Sequence, residues 1–362
     1  MKIFFAIFIF CLILVMYLHI VFHLKTSNEL EVYEIENVSK EKLEEICDVR
    51  QPVLFDFYNE RLMKHTSFDY LYKQYSDFEF KIRNTKECGD DETSKYIPLS
   101  LLSCHELFEK DKEQQYFTEK NEDFLQETSV IKSFQHNDEY LRPFLVSNCK
   151  YDVMSGSNGC TTPFRYSLNY RNYFLVTQGT IHIKLACPKS SKYLFPKIDY
   201  ENFEFYSPVN PWDVQMNYQA DFNKIKCLEL TLTPGKIIFI PAYWWYSIQF
   251  SKNASVSCMY YRSYMNDVAI SPHLCMYGLQ LMNIKRERFR KVETMQSKDG
   301  EKDKKKNHKI ISPSSDVEED NSHSHNNHQD TQETSHDKEI GNSNEHDDIV
   351  PLDINADYAF EL

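Results

Sequence analysis

The sequence predicts a mainly β domain with flanking helices, set between an N-terminal apolar helix and a polar C-terminal tail. Three observations carry this. The stretch 233–248 (Thr-Pro-Gly-Lys-Ile-Ile-Phe-Ile-Pro-Ala-Tyr-Trp-Trp-Tyr-Ser-Ile) opens on a Pro-Gly turn signal. A β-branched apolar segment follows, and Pro241 breaks it before a second short strand. The adjacent Trp244 and Trp245 need a large apolar partner surface, so this hairpin belongs to a core. Second, residues 151–262 alternate strand-length segments with Gly, Pro and Asn turns, which argues for a jelly roll or a barrel. Third, apolar periodicity stops near Met282, and beyond Met295 the chain is Lys, Asp, Glu, Ser, Asn and His. Such a tail buries too little apolar surface to order itself.

Composition agrees. Of 362 residues 14% are aromatic and only 8 are Gly, as a packed β-rich core requires. The formal net charge of −13 argues against nucleic acid as a partner, since phosphate binding needs a basic footprint.

Ile3–Phe22 is an apolar run interrupted only by His19 and free of Asp, Glu, Lys and Arg, long enough to cross a bilayer. It ends in His23-Leu24-Lys25 rather than in a small-residue cleavage site, which favours a retained single-pass anchor over a signal peptide. Lys2 and the amino terminus precede the run, whereas Lys25 and then Glu29, Glu31, Glu34 and Glu36 follow it. The expectation is a lumenal or external bulk, and Asn-x-Ser sequons at Asn37 and Asn253 agree with it. None of the 10 cysteines forms a Cys-x-x-Cys motif. Cys149 and Cys160 flank the turn-rich loop 155–159; a disulfide and two buried thiols are both open readings.

Four segments are expected: an anchor at 1–25, a helix and strand layer at 30–150, a β core with an outer helix at 151–294, and a disordered tail at 295–362. Within the layer, Ser39 can cap a helix bearing Leu43, Ile46 and Cys47. Strands are expected at 52–57 and 78–82, a helix over 59–76, and mostly helix over 99–135. In the core, strands are expected at 164–168, 173–177, 180–185, 227–232, 236–240, 246–250 and 256–261. Leu274–Ile284 reads as an outer helix. Histidines of the tail (His308, His323, His325, His328, His336 and His346) read as part of a polar segment rather than a metal site.

The hairpin with its Pro-Gly start and paired tryptophans resembles the closing hairpin of the cupin-like JmjC hydroxylases. Upstream, Thr162-Pro163-Phe164-Arg165-Tyr166-Ser167, Asn172-Tyr173-Phe174-Leu175-Val176 and Gly179-Thr180-Ile181 follow the same family's order. Lys184–Pro188 and Ser207–Phe222 extend the resemblance, which spans roughly 45–265. It implies a double-stranded β-helix, the jelly roll of that family. It also implies a site in which a His-x-Asp pair and a later histidine hold Fe(II), and a lysine holds 2-oxoglutarate.

Here Arg165 stands for the first histidine, Ser167 for the aspartate, Tyr246 for the third ligand and Ile181 for the lysine. A one-residue shift would offer Tyr166 and Leu168 instead. Guanidinium has no lone pair to give and keeps its proton. The expectation is therefore a membrane-anchored pseudoenzyme without cofactor, acting as a binding or scaffold module for a protein or a small anionic ligand. Arg165 and Tyr246 are either an anion site or part of an internal polar network. The alternative is an active Fe(II)/2-oxoglutarate hydroxylase with a displaced site, built from groups such as His182, Lys184, His136 or His105. The anchor and altered triad are similar to those of cupin-like proteins of large DNA viruses.

Overall fold

The computed structural model describes residues 1–36, 38–88, 96–136 and 138–282. The polar tail with its histidines, the sequon at Asn37 and the end of the outer helix at Ile284 lie outside the described residues.

The first element, α1 (Lys2–Leu24), is one apolar helix. Helix α2 (Lys40–Cys47) starts where expected, because the Ser39 hydroxyl accepts from the Lys42 N–H. The segment 59–76 divides into α3 (Glu60–His65) and α4 (Phe68–Gln74). Thr66 ends α3 by donating its hydroxyl to the Leu62 carbonyl at 2.6 Å, and its backbone leaves the helical region. The segment 99–135 holds helices α5 (Leu101–Lys110), α6 (Glu122–Glu127) and α7 (Ile131–Gln135). It also holds a strand that apolar periodicity did not signal, β5 (Tyr116–Thr118), which joins the sheet beside β3 (Glu79–Asn84).

Two sheets make the core. The larger contains β1 (Tyr33–Ile35), β2 (Val53–Asp56), β13 (Lys236–Phe239), β8 (Arg171–Gln178), β15 (Ser255–Ser263), β6 (Val146–Gly156), β5, β3 and β4 (Ile97–Ser100), in that spatial order. The smaller runs β10 (Lys197–Asp199), β11 (Glu204–Tyr206), β7 (Arg165–Tyr166), β14 (Trp245–Phe250), β9 (Ile181–Ala186) and β12 (Leu228–Leu232). From β6 to β9, and again from β12 to β15, the chain alternates between the sheets. Phe174, Val176 and Cys258 of the larger sheet share one buried cluster with Ile183, Tyr246 and Ile248 of the smaller. The sheets thus pack face to face.

The hairpin 233–248 straddles both sheets: β13 pairs with β8, and β14 pairs with β9. Gly235 supplies the turn with φ +90°, a conformation that favours glycine. Trp244 and Trp245 are fully buried on either side of the strand switch. Trp244 donates its indole N–H to the Arg50 carbonyl, and Trp245 donates to Ser191.

Strand β6 takes Ser155 and Gly156 from the loop expected at 155–159, and residues 157–159 remain bend and turn. The strand runs to Gly156 in the middle of the larger sheet, between β15 and β5. Its polar residues are satisfied inside: Ser155 donates to the Ala254 carbonyl, and Asp152 accepts the N–H groups of Lys120 and Asn121. Cys149 and Cys160 are both free thiols. Cys149 sits beside Arg142 on β6, and Cys160 beside Thr85.

Candidate functional site

Arg165 and Tyr246 meet. They are directly opposed residues of β7 and β14, and the guanidinium lies 5.7 Å from the Tyr246 ring centroid. Both are buried. The guanidinium is engaged by the chain's own acid: Arg165 Nη2 is 2.6 Å from Oε2 of Glu119, the residue after β5. The other Glu119 oxygen lies 2.8 Å from Nη1 of Arg83 on β3, which also reaches Glu204 on β11 at 2.9 Å. Lys120 closes the row with Glu204 at 2.6 Å. The Tyr96 hydroxyl donates to both carboxylates, at 3.0 and 3.1 Å.

This network alternates charge through the barrel interior, with Arg83, Lys120 and Arg165 facing Glu119 and Glu204. Burial alone would raise both carboxyls. Arg165 and Arg83 outweigh that for Glu119, and Lys120 and Arg83 do so for Glu204, so both are held below the usual carboxylate range. Burial pushes the Tyr246 phenol up to about 12, so it stays protonated. Buried Asp152 is pushed up to about 6 by desolvation, against the backbone N–H groups that face it.

The remaining expected positions lie elsewhere. Ser167 follows the end of β7, and its hydroxyl accepts from the Asn169 N–H at 3.2 Å. Ile181 is fully buried on β9 between Leu232 and Phe250, an apolar core residue. In the shifted register, Tyr166 packs tilted on Phe205 and edge-to-face on Trp245, and Leu168 packs beside Phe205 and Ile270. His182 and Lys184 alternate out of the core with Ile181 and Ile183. His182 bonds Thr231, and Lys184 pairs with Glu229. His105 stacks on Phe68 and Tyr72 outside the barrel, and His136 is exposed after α7. None of the four joins Arg165. Among the described residues, no three His, Cys, Asp or Glu side chains converge as a metal site.

Sequence reasoning missed Arg83, Glu119 and Glu204. The available signal was a charged residue inside an aromatic or apolar strand, as in Phe203-Glu204-Phe205 and Ile82-Arg83. In β3 it breaks alternation, since both Ile82 and Arg83 are buried.

The cupin-like domain family matches residues 39–267, more than half of the chain. The chain belongs to this family. HSPB1-associated protein 1 of cattle and of human are each 28% identical over 103 residues, covering 28% of this chain and 21% of each relative. JmjC domain-containing protein D of Dictyostelium discoideum is 28% identical over 102 residues, covering 28% of this chain and 22% of the relative. The chain thus spans about a fifth of the length of the curated relatives it matches.

The iron and 2-oxoglutarate that the JmjC resemblance implies do not fit this cupin-like site. Arg165 offers no lone pair, the Tyr246 phenol is held protonated, the Ser167 hydroxyl turns to its own loop, and Ile181 carries no charge to meet a dicarboxylate.

Proposed function

We propose that this protein is a membrane-anchored member of the cupin-like family whose double-stranded β-helix works as a non-catalytic binding or scaffold module. The observation that carries the reading is the Arg165–Glu119 ion pair. It fills the position of a first metal ligand with a guanidinium and neutralises that guanidinium from within the chain. An acid of the protein thus stands where an anionic ligand would bind, which supports the internal-network reading of Arg165 and Tyr246. A partner, protein or small anion, is then met at another surface.

In this reading α1 is a single-pass anchor, supported by its high mean hydropathy and its 0% burial over the apolar window. Lys2 and the amino terminus before it, weighed against Lys25 after it, favour a lumenal or external domain in this reading. The sequon at Asn253, in the half-exposed turn between β14 and β15, would then receive a glycan.

The test is metal and co-substrate analysis of the full chain purified in detergent. Iron well below one equivalent after Fe(II) loading, with no 2-oxoglutarate decarboxylation, is expected. Stoichiometric iron and turnover lost on changing Arg165 or Tyr246 would overturn the reading.

A further inference from the structure

The base of α1 is docked on the barrel. Met16, Ile20 and His23, spaced four and three residues apart, are the positions of α1 that lose exposure. Helix α9 (Tyr264–Ala269) packs along it. His23 Nε2 lies 3.1 Å from the hydroxyl of Ser263, the residue that caps α9. Arg50 donates to the Phe22 carbonyl at 3.3 Å and stacks on the Phe22 ring. This contact has a consequence for depth. The run Ile3–Phe22 rises about 30 Å at 1.5 Å per residue, which only just spans a bilayer's hydrocarbon. If α1 is the anchor, its last turns would belong to the span and α9 beside them would sit at the membrane–water boundary.

From α9 the chain enters a further helix over 271–282 that contains no Asp, Glu, Lys or Arg. One side packs inward: His273 bonds the Tyr200 hydroxyl, Tyr277 meets Phe203, and Leu274 joins the cluster of Leu168, Phe205 and Ile270. The other side shows Met276, Leu279 and Met282, which are 48%, 59% and 71% exposed. Phe144, Leu145 and Tyr264 are also exposed, and the Tyr264 N–H bonds the Leu145 carbonyl at the start of α9. An outward apolar face is the reverse of what a helix facing water carries, and such patches mark contact surfaces. Directly after it the sequence places Lys285, Arg286, Arg288, Arg290 and Lys291 against one acid, Glu287, in a chain of net charge −13.

We propose that the exposed apolar side chains of α9 and of helix 271–282, Tyr264, Met276, Leu279 and Met282, lie in a phospholipid interface beside the anchor. They would enter the headgroup and acyl boundary, and the basic sequence that follows favours a lipid surface carrying negative charge. The inference rests on the anchor reading of α1 and adds to it. The barrel would be held against the bilayer at two places instead of swinging from a tether.

Full-length chain carrying Leu279→Trp, in phosphatidylcholine vesicles with and without phosphatidylserine, tests this. The substituted position is exposed, and the native Trp212, Trp244 and Trp245 of the parent give the background. Lipids brominated high on the acyl chain should quench most of the added emission. Quenching should strengthen with phosphatidylserine and weaken again at high salt. Carbonate-resistant protein with an unquenched tryptophan would overturn the proposal and leave the anchor intact. Carbonate-extracted protein would remove the anchor reading and the depth argument with it. An unquenched tryptophan together with crosslinking between copies through position 279 would assign the face to a second copy of this chain, and would also overturn it.

Discussion

Glu119 Oε2 and Arg165 Nη2 lie 2.6 Å apart, with side chains only 3% and 9% exposed. A buried pair of this kind is weak evidence of stability gained, because desolvation opposes the attraction. Its fragility when halved is a firmer expectation. Glu119→Gln strands the Arg165 charge and should cost about 3–5 kcal/mol. Adding Arg165→Met should return most of that loss, since no buried charge is then left unpaired. Urea unfolding of the full chain checks both. In the same proteins 2-oxoglutarate should not raise the melting temperature of the parent. A rise that Arg165→Met abolishes would restore the anion-site reading.

The same network sets an acid limit. Glu119 and Glu204 have carboxyls depressed below the ordinary value of 4.5 by the cations around them. A carboxyl depressed on folding adds stability that is complete above its unfolded value and is lost as pH falls through the folded one. Stability should therefore fall below about pH 4.5, where the unfolded carboxyls take up protons and the folded ones still resist them. Glu204→Gln should start lower at neutral pH and fall less steeply in acid. Unfolding free energies across pH 3–7 show this, and parallel curves for parent and variant would contradict it.

Much of this architecture was legible because local and global signals agree. Ser39 caps the helix it was expected to cap. The Pro-Gly turn, Pro241 and the paired tryptophans place β13 and β14 within a residue or so of their observed ends. What escaped was held by long-range contacts. Strand β6 carries Ser155, which reads as a loop residue until the Ala254 carbonyl supplies its partner. Arg165 and Tyr246 were legible as altered positions. The acid that neutralises Arg165 was not, since Glu119 lies 46 residues earlier by the numbering, in a segment that reads as helix.

Two glycines separate backbone necessity from tolerance. Gly179 holds φ +67° between β8 and β9, and an added Cβ would stand 2.8 Å from the Ala254 Cα. That neighbour is backbone and cannot swing aside. Gly179→Ala combines a left-handed conformation with a clash, and should destabilise by about 1–3 kcal/mol. Gly278 lies inside helix 271–282 with nothing within 4 Å of the added atom. Gly278→Ala therefore gains helix propensity without strain, up to about 1 kcal/mol. Thermal unfolding of both variants should move the midpoint in opposite directions. A loss of stability in Gly278→Ala would mean that something packs closely on the outer helix, against an open face there.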